Sequence, residues 1–197
     1  MRGFRSLIVL VVFALMGVFA PSALAQPCEG GGEQAFLDWG DDDFYVLAGG
    51  GDFESELEAW RLRDGAEVVA GGNARRPQSS GHSLALPAGS SAVTAPICVT
   101  EDNPVARMFS KTTSGIGLLK VQVIYLDHET GEEIRRVPLV ALNRDRAWDA
   151  TQRMPLLERL FDIDPETGRG YIQLRFSPLF GTDWKIDDLM VDPRHRI

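Results

Sequence analysis

Leu119-Lys120-Val121-Gln122-Val123-Ile124-Tyr125 and Ile172-Gln173-Leu174-Arg175-Phe176-Ser177 are the two stretches that decide the fold. In the first, Leu119, Val121, Val123 and Tyr125 are interleaved with Lys120 and Gln122. In the second, Ile172, Leu174 and Phe176 are interleaved with Gln173, Arg175 and Ser177. A strand sends successive side chains to opposite faces, so period two marks one buried face and one wet face. Shorter runs of strand character lie at 45–48, 67–70, 83–86, 92–94, 105–111, 133–137 and 184–191. Breaker clusters separate them: Gly49-Gly50-Gly51, Gly71-Gly72-Asn73, Pro87-Ala88-Gly89, and the turns at 127–131 and 164–168. About nine short strands so punctuated predict an all-β chain, an antiparallel β-sandwich or barrel. The exception is 154–161, where Leu156, Leu157, Leu160 and Phe161 have helical spacing. That segment reads as one short helix, or a hydrophobic flap crossing one end of the sandwich.

The N-terminus has a different grammar. Arg2 and Arg5 precede an apolar run over 7–20, Pro21-Ser22 break it, and Ala23-Leu24-Ala25 supply small residues before a cut. This order is that of a secretory signal peptide, expected to be removed as residues 1–25. The run of 14 residues is short of the ~20 a spanning helix needs. Pro27 before Cys28 argues against lipid attachment there. No second apolar stretch of spanning length follows, so no membrane insertion is expected. After the signal peptide come a glycine-rich, acidic arm over 26–44, expected to be flexible, and the sandwich over 45–197. The chain is therefore expected to be secreted, with Cys28 and Cys98 joined in a disulfide.

The formal net charge is −8, and −10 once Arg2 and Arg5 leave with the signal peptide. An acidic surface repels phosphate backbones and anionic lipids, so no nucleic-acid partner is expected. There is no GxSxG, HExxH, P-loop or CxxC motif. His82, His128 and His195 are scattered. Gly49-Gly50-Gly51-Asp52 lacks the strand-and-helix setting of a dinucleotide loop. Asp187-Asp188 stands out because it lies inside the apolar run at 184–191. Period two puts one of the two on the covered face, where a carboxylate needs N–H donors or a hard cation such as Ca²⁺.

Three further segments carry a resemblance. Gly51-Asp52-Phe53-Glu54 followed by Trp60, then Ser80-Gly81-His82-Ser83-Leu84-Ala85-Leu86, then Trp184-Lys185-Ile186-Asp187-Asp188-Leu189 resemble, in order, the opening, second and closing strand motifs of carbohydrate-binding modules with a galactose-binding-like jelly roll. The ending is also similar to that of uncharacterised secreted actinobacterial proteins. The resemblance implies a jelly-roll sandwich and a structural Ca²⁺ held by Glu54 and Asp187, with Asp188 as the alternate. It also implies a secreted, non-catalytic domain that binds carbohydrate or a cell-envelope glycan. A structural or adhesive envelope protein with a protein partner, and a glycan-active hydrolase, are the alternatives. Trp60 and Trp184 fall in framework motifs and read as core. Sugar sites pair a flat aromatic face with carboxylates and amides. Two places have that composition: Trp148 with Asn143, Asp145 and Asp149, and Trp39 with Asp41, Asp42 and Tyr45.

Overall fold

The run at 119–125 belongs to a long strand, β8 (Leu118–Leu126), and the run at 172–177 to β12 (Gly170–Pro178), in a computed structural model of the chain. It describes residues 28, 31–55, 57, 60–76, 81–103, 105–115, 117–142 and 146–192. Residues 1–25, where a signal peptide is expected, and Asn143, Asp145 and His195 lie outside the described residues.

The two runs pair antiparallel from Tyr171↔Leu126 to Pro178↔Leu119. Leu119, Val121, Val123, Tyr125, Ile172, Leu174 and Phe176 are all buried in one cluster. Each such side chain contributes roughly 1.5–3 kcal/mol by leaving water. Gln122, Gln173 and Arg175 point the other way, as the alternation requires.

The remaining strands are β1 (Val46–Leu47), β2 (Arg61–Arg63), β3 (Glu67–Ala70), β4 (His82–Leu86), β5 (Ser91–Val93), β6 (Ile97–Val99), β7 (Val105–Ser114), β9 (Glu133–Leu142), β10 (Asp149–Ala150), β11 (Met154–Pro155) and β13 (Asp183–Val191). They form two antiparallel sheets. One runs β10-β7-β13-β4-β3, with β1 also on β13 and β11 on β7. The other runs β2-β5-β12-β8-β9, with β6 also on β12. The main core lies between them and includes both framework tryptophans, Trp60 and Trp184. The architecture is the β-sandwich expected for a jelly roll.

Two expectations change. The 154–161 segment is not a helix: it is β11 followed by a 3-10 turn at Glu158–Leu160. Pro155 disfavours a continuing helix before it, and Leu157 has φ 53°, outside helical space. The segment is the flap instead. Leu156 is buried, its carbonyl accepts the Tyr125 hydroxyl, and Leu157, Leu160 and Phe161 pack on the core.

The acidic arm is not loose where it is described. Residues 31–47 lie across the outer face of the larger sheet. Glu33 and Tyr45 exchange backbone hydrogen bonds of 2.9 and 2.8 Å. Phe36 is fully buried, 5.2 Å from the Phe109 ring and 4.8 Å from Tyr45. The glycine and acid content hid two aromatic anchors, which together with Val105, Phe109 and Met190 make a second core outside the sandwich. Beneath it, Asp41 and Arg107 form a buried ion pair at 2.7 Å. Burial works against the Asp41 charge, but hydrogen bonds from Tyr45 and Arg107 outweigh it and hold the carboxyl below its ordinary range. Cys28 and Cys98 form the expected disulfide, with Cα atoms 5.0 Å apart.

Candidate ligand-binding groove

The outward-facing residues of the smaller sheet line a concave groove of about 390 Å³. Strand register builds it in rows. Arg61 of β2 lies opposite Val93 of β5, which lies opposite Arg175 of β12. One step along, Gln173 lies opposite Ile124 of β8, which lies opposite Arg136 of β9. Arg63 pairs with Ser91 at the edge. Val93, Ile124 and Leu126 make an apolar floor, with Tyr171 packed against it. Around that floor stand Arg61, Arg63, Arg136, Arg175 and Gln173, all donors on backbone fixed by a sheet.

Gln173 is locked. Its amide nitrogen donates to the Thr94 carbonyl at 2.9 Å, and its oxygen accepts Arg61 at 3.1 Å. Arg175 reaches the Ser91 hydroxyl at 3.4 Å, while its buried Nε has no hydrogen-bond partner. Arg136 is held by Glu133, the one carboxylate in the lining. Gln173 and Arg175 are visible in the sequence as a wet face. Arg61 and Arg63 are not, because Arg61-Leu62-Arg63 is too short to announce a strand.

The residues singled out from sequence go elsewhere. Trp39 and Trp148 both pack against the second core on the outer face of the larger sheet, the Trp39 ring 5.3 Å from that of Phe109. Trp39 Nε1 donates to Asp149 Oδ1 at 2.5 Å. Each ring carries a cation: Arg75 lies 5.2 Å from the Trp39 ring centre and Lys111 lies 4.8 Å from that of Trp148. Burial and the neighbouring Lys185 charge push the Lys111 ammonium below its usual range. Trp39 and Asp149 are thus engaged in holding the arm to β10, and Asp41 and Tyr45 are buried beneath it.

Glu54 and the aspartate pair serve separate junctions. Glu54 Oε1 accepts the backbone N–H groups of Gly81 and His82 at 2.7 and 2.9 Å, and Oε2 meets His82 Nδ1 at 2.9 Å. The opening motif is thereby tied to the second one. The His82 hydrogen bond, with the two N–H groups, draws the Glu54 carboxyl below its ordinary value. Asp187 and Asp188 are both fully buried, not one of the two. A register shift between Asp187 and Met190, with Asp188 at φ 44°, breaks the alternation. Gly51 permits the bulge: a Cβ there would lie 2.7 Å from the Leu189 carbonyl oxygen.

This donor set does not fit a calcium ion. Asp187 Oδ2 accepts Asn73 N and Nδ2 at 2.7 and 3.0 Å, and Oδ1 accepts Asp188 N at 2.9 Å. Asp188 meets Asn73 Nδ2 at 2.6 Å and the Arg76 guanidinium at 2.7 Å. A guanidinium supplies the compensating charge where a cation would sit. Among the described residues no group of three or more His, Cys, Asp or Glu is arranged to hold a metal.

Burial, with the Asp188 charge adding to it, pushes Asp187 from 3.8 up to about 7 against the pull of its N–H donors. The folded protein then binds this proton more tightly than the unfolded chain. The contribution to stability is complete below the unfolded value of 3.8 and is lost as pH rises through about 7. A carbon-detected titration of the Asp187 carboxyl is expected to find its midpoint near neutrality. A midpoint in the ordinary carboxylate range contradicts the assignment.

No family model matches the chain, and no curated protein matches it. Solved structures do. A family 11 carbohydrate-binding module from Clostridium thermocellum, in complex with a β-1,3-1,4-mixed-linked tetrasaccharide, aligns with a TM-score of 0.46 at 13% identity, over 72% of this chain and 92% of that one. A family 6 module from Clostridium cellulolyticum in complex with xylose aligns at 0.40 and 14% identity, over 68% and 92%. The CBM22-1–GH10 modules of Clostridium thermocellum xylanase 10B, complexed with xylohexaose, align at 0.46 and 17% identity, over 74% of this chain but 28% of that one.

Proposed function

We propose that the protein is a secreted, non-catalytic binding domain for carbohydrate, free or in a cell envelope, and that the ligand lies in the groove of the smaller sheet. The observation that carries the reading is the pairing of an apolar floor, Val93, Ile124 and Leu126, with a rim of fixed donors. A sugar ring has the matching chemistry, an apolar C–H face and a belt of hydroxyls. The volume falls within the ~300–1,000 Å³ common for small-ligand sites. Hydrolysis of a glycosidic bond needs two carboxyl groups across the bond, whereas the lining supplies Glu133, already engaged by Arg136. The N-terminal segment of signal-peptide character and the disulfide favour an extracellular setting.

Affinity electrophoresis in gels containing single polysaccharides tests this. At least one polysaccharide is expected to retard the protein. Gln173→Ala is expected to weaken that binding about tenfold, the effect of losing ~1.4 kcal/mol of hydrogen bonding. Trp148→Ala, outside the groove, is expected to leave it unchanged. Loss with Trp148→Ala and not with Gln173→Ala overturns the placement, and retardation by no polysaccharide overturns the function.

A further inference from the structure

We infer that the groove selects an anionic glycan, one bearing carboxylate or sulfate-ester groups, through Arg61, Arg63 and Arg175. The inference rests on the proposed carbohydrate function and names its ligand class. The lining holds four arginines and one carboxylate, Glu133, a net of three positive charges. The whole chain carries −8. Cations concentrated in one concavity of an otherwise acidic protein focus the field there and draw anions to it.

The pairing within the groove sharpens the point. Glu133 is taken by Arg136, through Nε at 3.0 Å and NH2 at 2.5 Å. Arg61, Arg63 and Arg175 form no ion pair with any described residue. Three arginines elsewhere in the fold are matched by carboxylates: Arg76 by Glu33 and Asp188, Arg107 by Asp41, Arg153 by Asp41 and Asp43. Arg175 is half-buried, its Nε out of water and unpartnered. A desolvated guanidinium edge without an acceptor is costly, and an incoming oxyanion supplies the acceptor. The guanidinium fork meets two oxygens of a carboxylate or sulfate group at once, which a single sugar hydroxyl cannot offer. Arg61 and Arg175 flank Val93 in one cross-strand row, so charge contacts stand on either side of the apolar floor. A pyranose lying on that floor has its acidic substituent within the reach of one side or the other.

The test uses matched pairs: polygalacturonate against neutral galactan, and dextran sulfate against dextran, by calorimetry on the full secreted chain. Anionic members are expected to bind at least tenfold more tightly than their neutral partners, with affinity falling as salt rises. Polygalacturonate alone identifies a uronate ligand, and dextran sulfate alone a sulfate ester. The double variant Arg61→Gln/Arg63→Gln is expected to weaken anionic binding roughly tenfold or more. Both side chains are exposed, so the fold survives the change. The salt titration of the unmodified protein gives the same answer independently of any variant. Equal binding of both members of each pair overturns the anion inference and leaves the carbohydrate function standing. Anionic binding indifferent to the double variant overturns the arginine assignment. Binding to none of the four counts against both readings.

Discussion

Arg107→Met is expected to destabilise the protein by about 3–5 kcal/mol, the effect of stripping the partner from a buried charge. Arg107 is 5% exposed and Asp41 4%. The guanidinium donates to Asp41 at 2.7 Å and twice to the Thr151 carbonyl, at 2.9 and 2.7 Å, and lies over the Phe36 ring at 4.4 Å. It therefore ties the N-terminal arm, β7 and the chain after β10 at one point. Its removal leaves the Asp41 carboxylate with Tyr45 at 2.8 Å and the more exposed Arg153 at 3.2 Å. For a domain of this length the loss corresponds to a melting temperature lower by roughly 10 °C. The double variant Arg107→Met/Asp41→Leu removes both charges and is expected to recover part of the loss, because neither ion is then left buried alone. Thermal unfolding of the three proteins checks it. A single variant within about 1 kcal/mol of the parent contradicts a buried, committed pair.

Replacing Cys28 and Cys98 with serine is expected to cost about 4 kcal/mol, by the chain-entropy relation for a long closed loop. The bridge closes a separation of 70 residues. It fastens residue 28, near the start of the arm, to β6 next to β12, the strand that carries Gln173 and Arg175. The two predictions act at opposite ends of the same segment. The ion pair holds the arm to the larger sheet, and the disulfide ties its start to the smaller one. Urea unfolding midpoints of parent and variant measure the difference. A change below about 1 kcal/mol contradicts the loop-closure account.

The alternating runs were legible because β8 over 119–123 and β12 over 172–176 send apolar residues to the core face and polar ones to the other. The site was less so. A groove is assembled from strands whose order is 2-5-12-8-9, and register across such distances has no local signature. Gln173 and Arg175 could be read as outward-facing, but nothing in the chain brings Arg61 beside them until β5 intervenes. The tryptophans mislead for the opposite reason. Aromatic rings beside carboxylates suit a sugar site by composition, yet Trp39 packs on Phe109 because Phe36 and Tyr45 anchor the arm there, and Trp148 packs against the same second core. Asp187 and Asp188 show where strand reasoning stops. Period two assigns one aspartate to each face, and a bulge made possible by Gly51 buries both.

Chemical-shift mapping locates the ligand most directly. Isotope-labelled protein is titrated with oligosaccharides of whichever polysaccharide binds best in the matched-pair screen. The largest amide shifts are expected at Arg61, Val93, Ile124, Gln173 and Arg175, across two neighbouring rows of the smaller sheet's outer face. Largest shifts at Trp39, Trp148 and Asp149, or none that saturate, contradict a carbohydrate site in the groove.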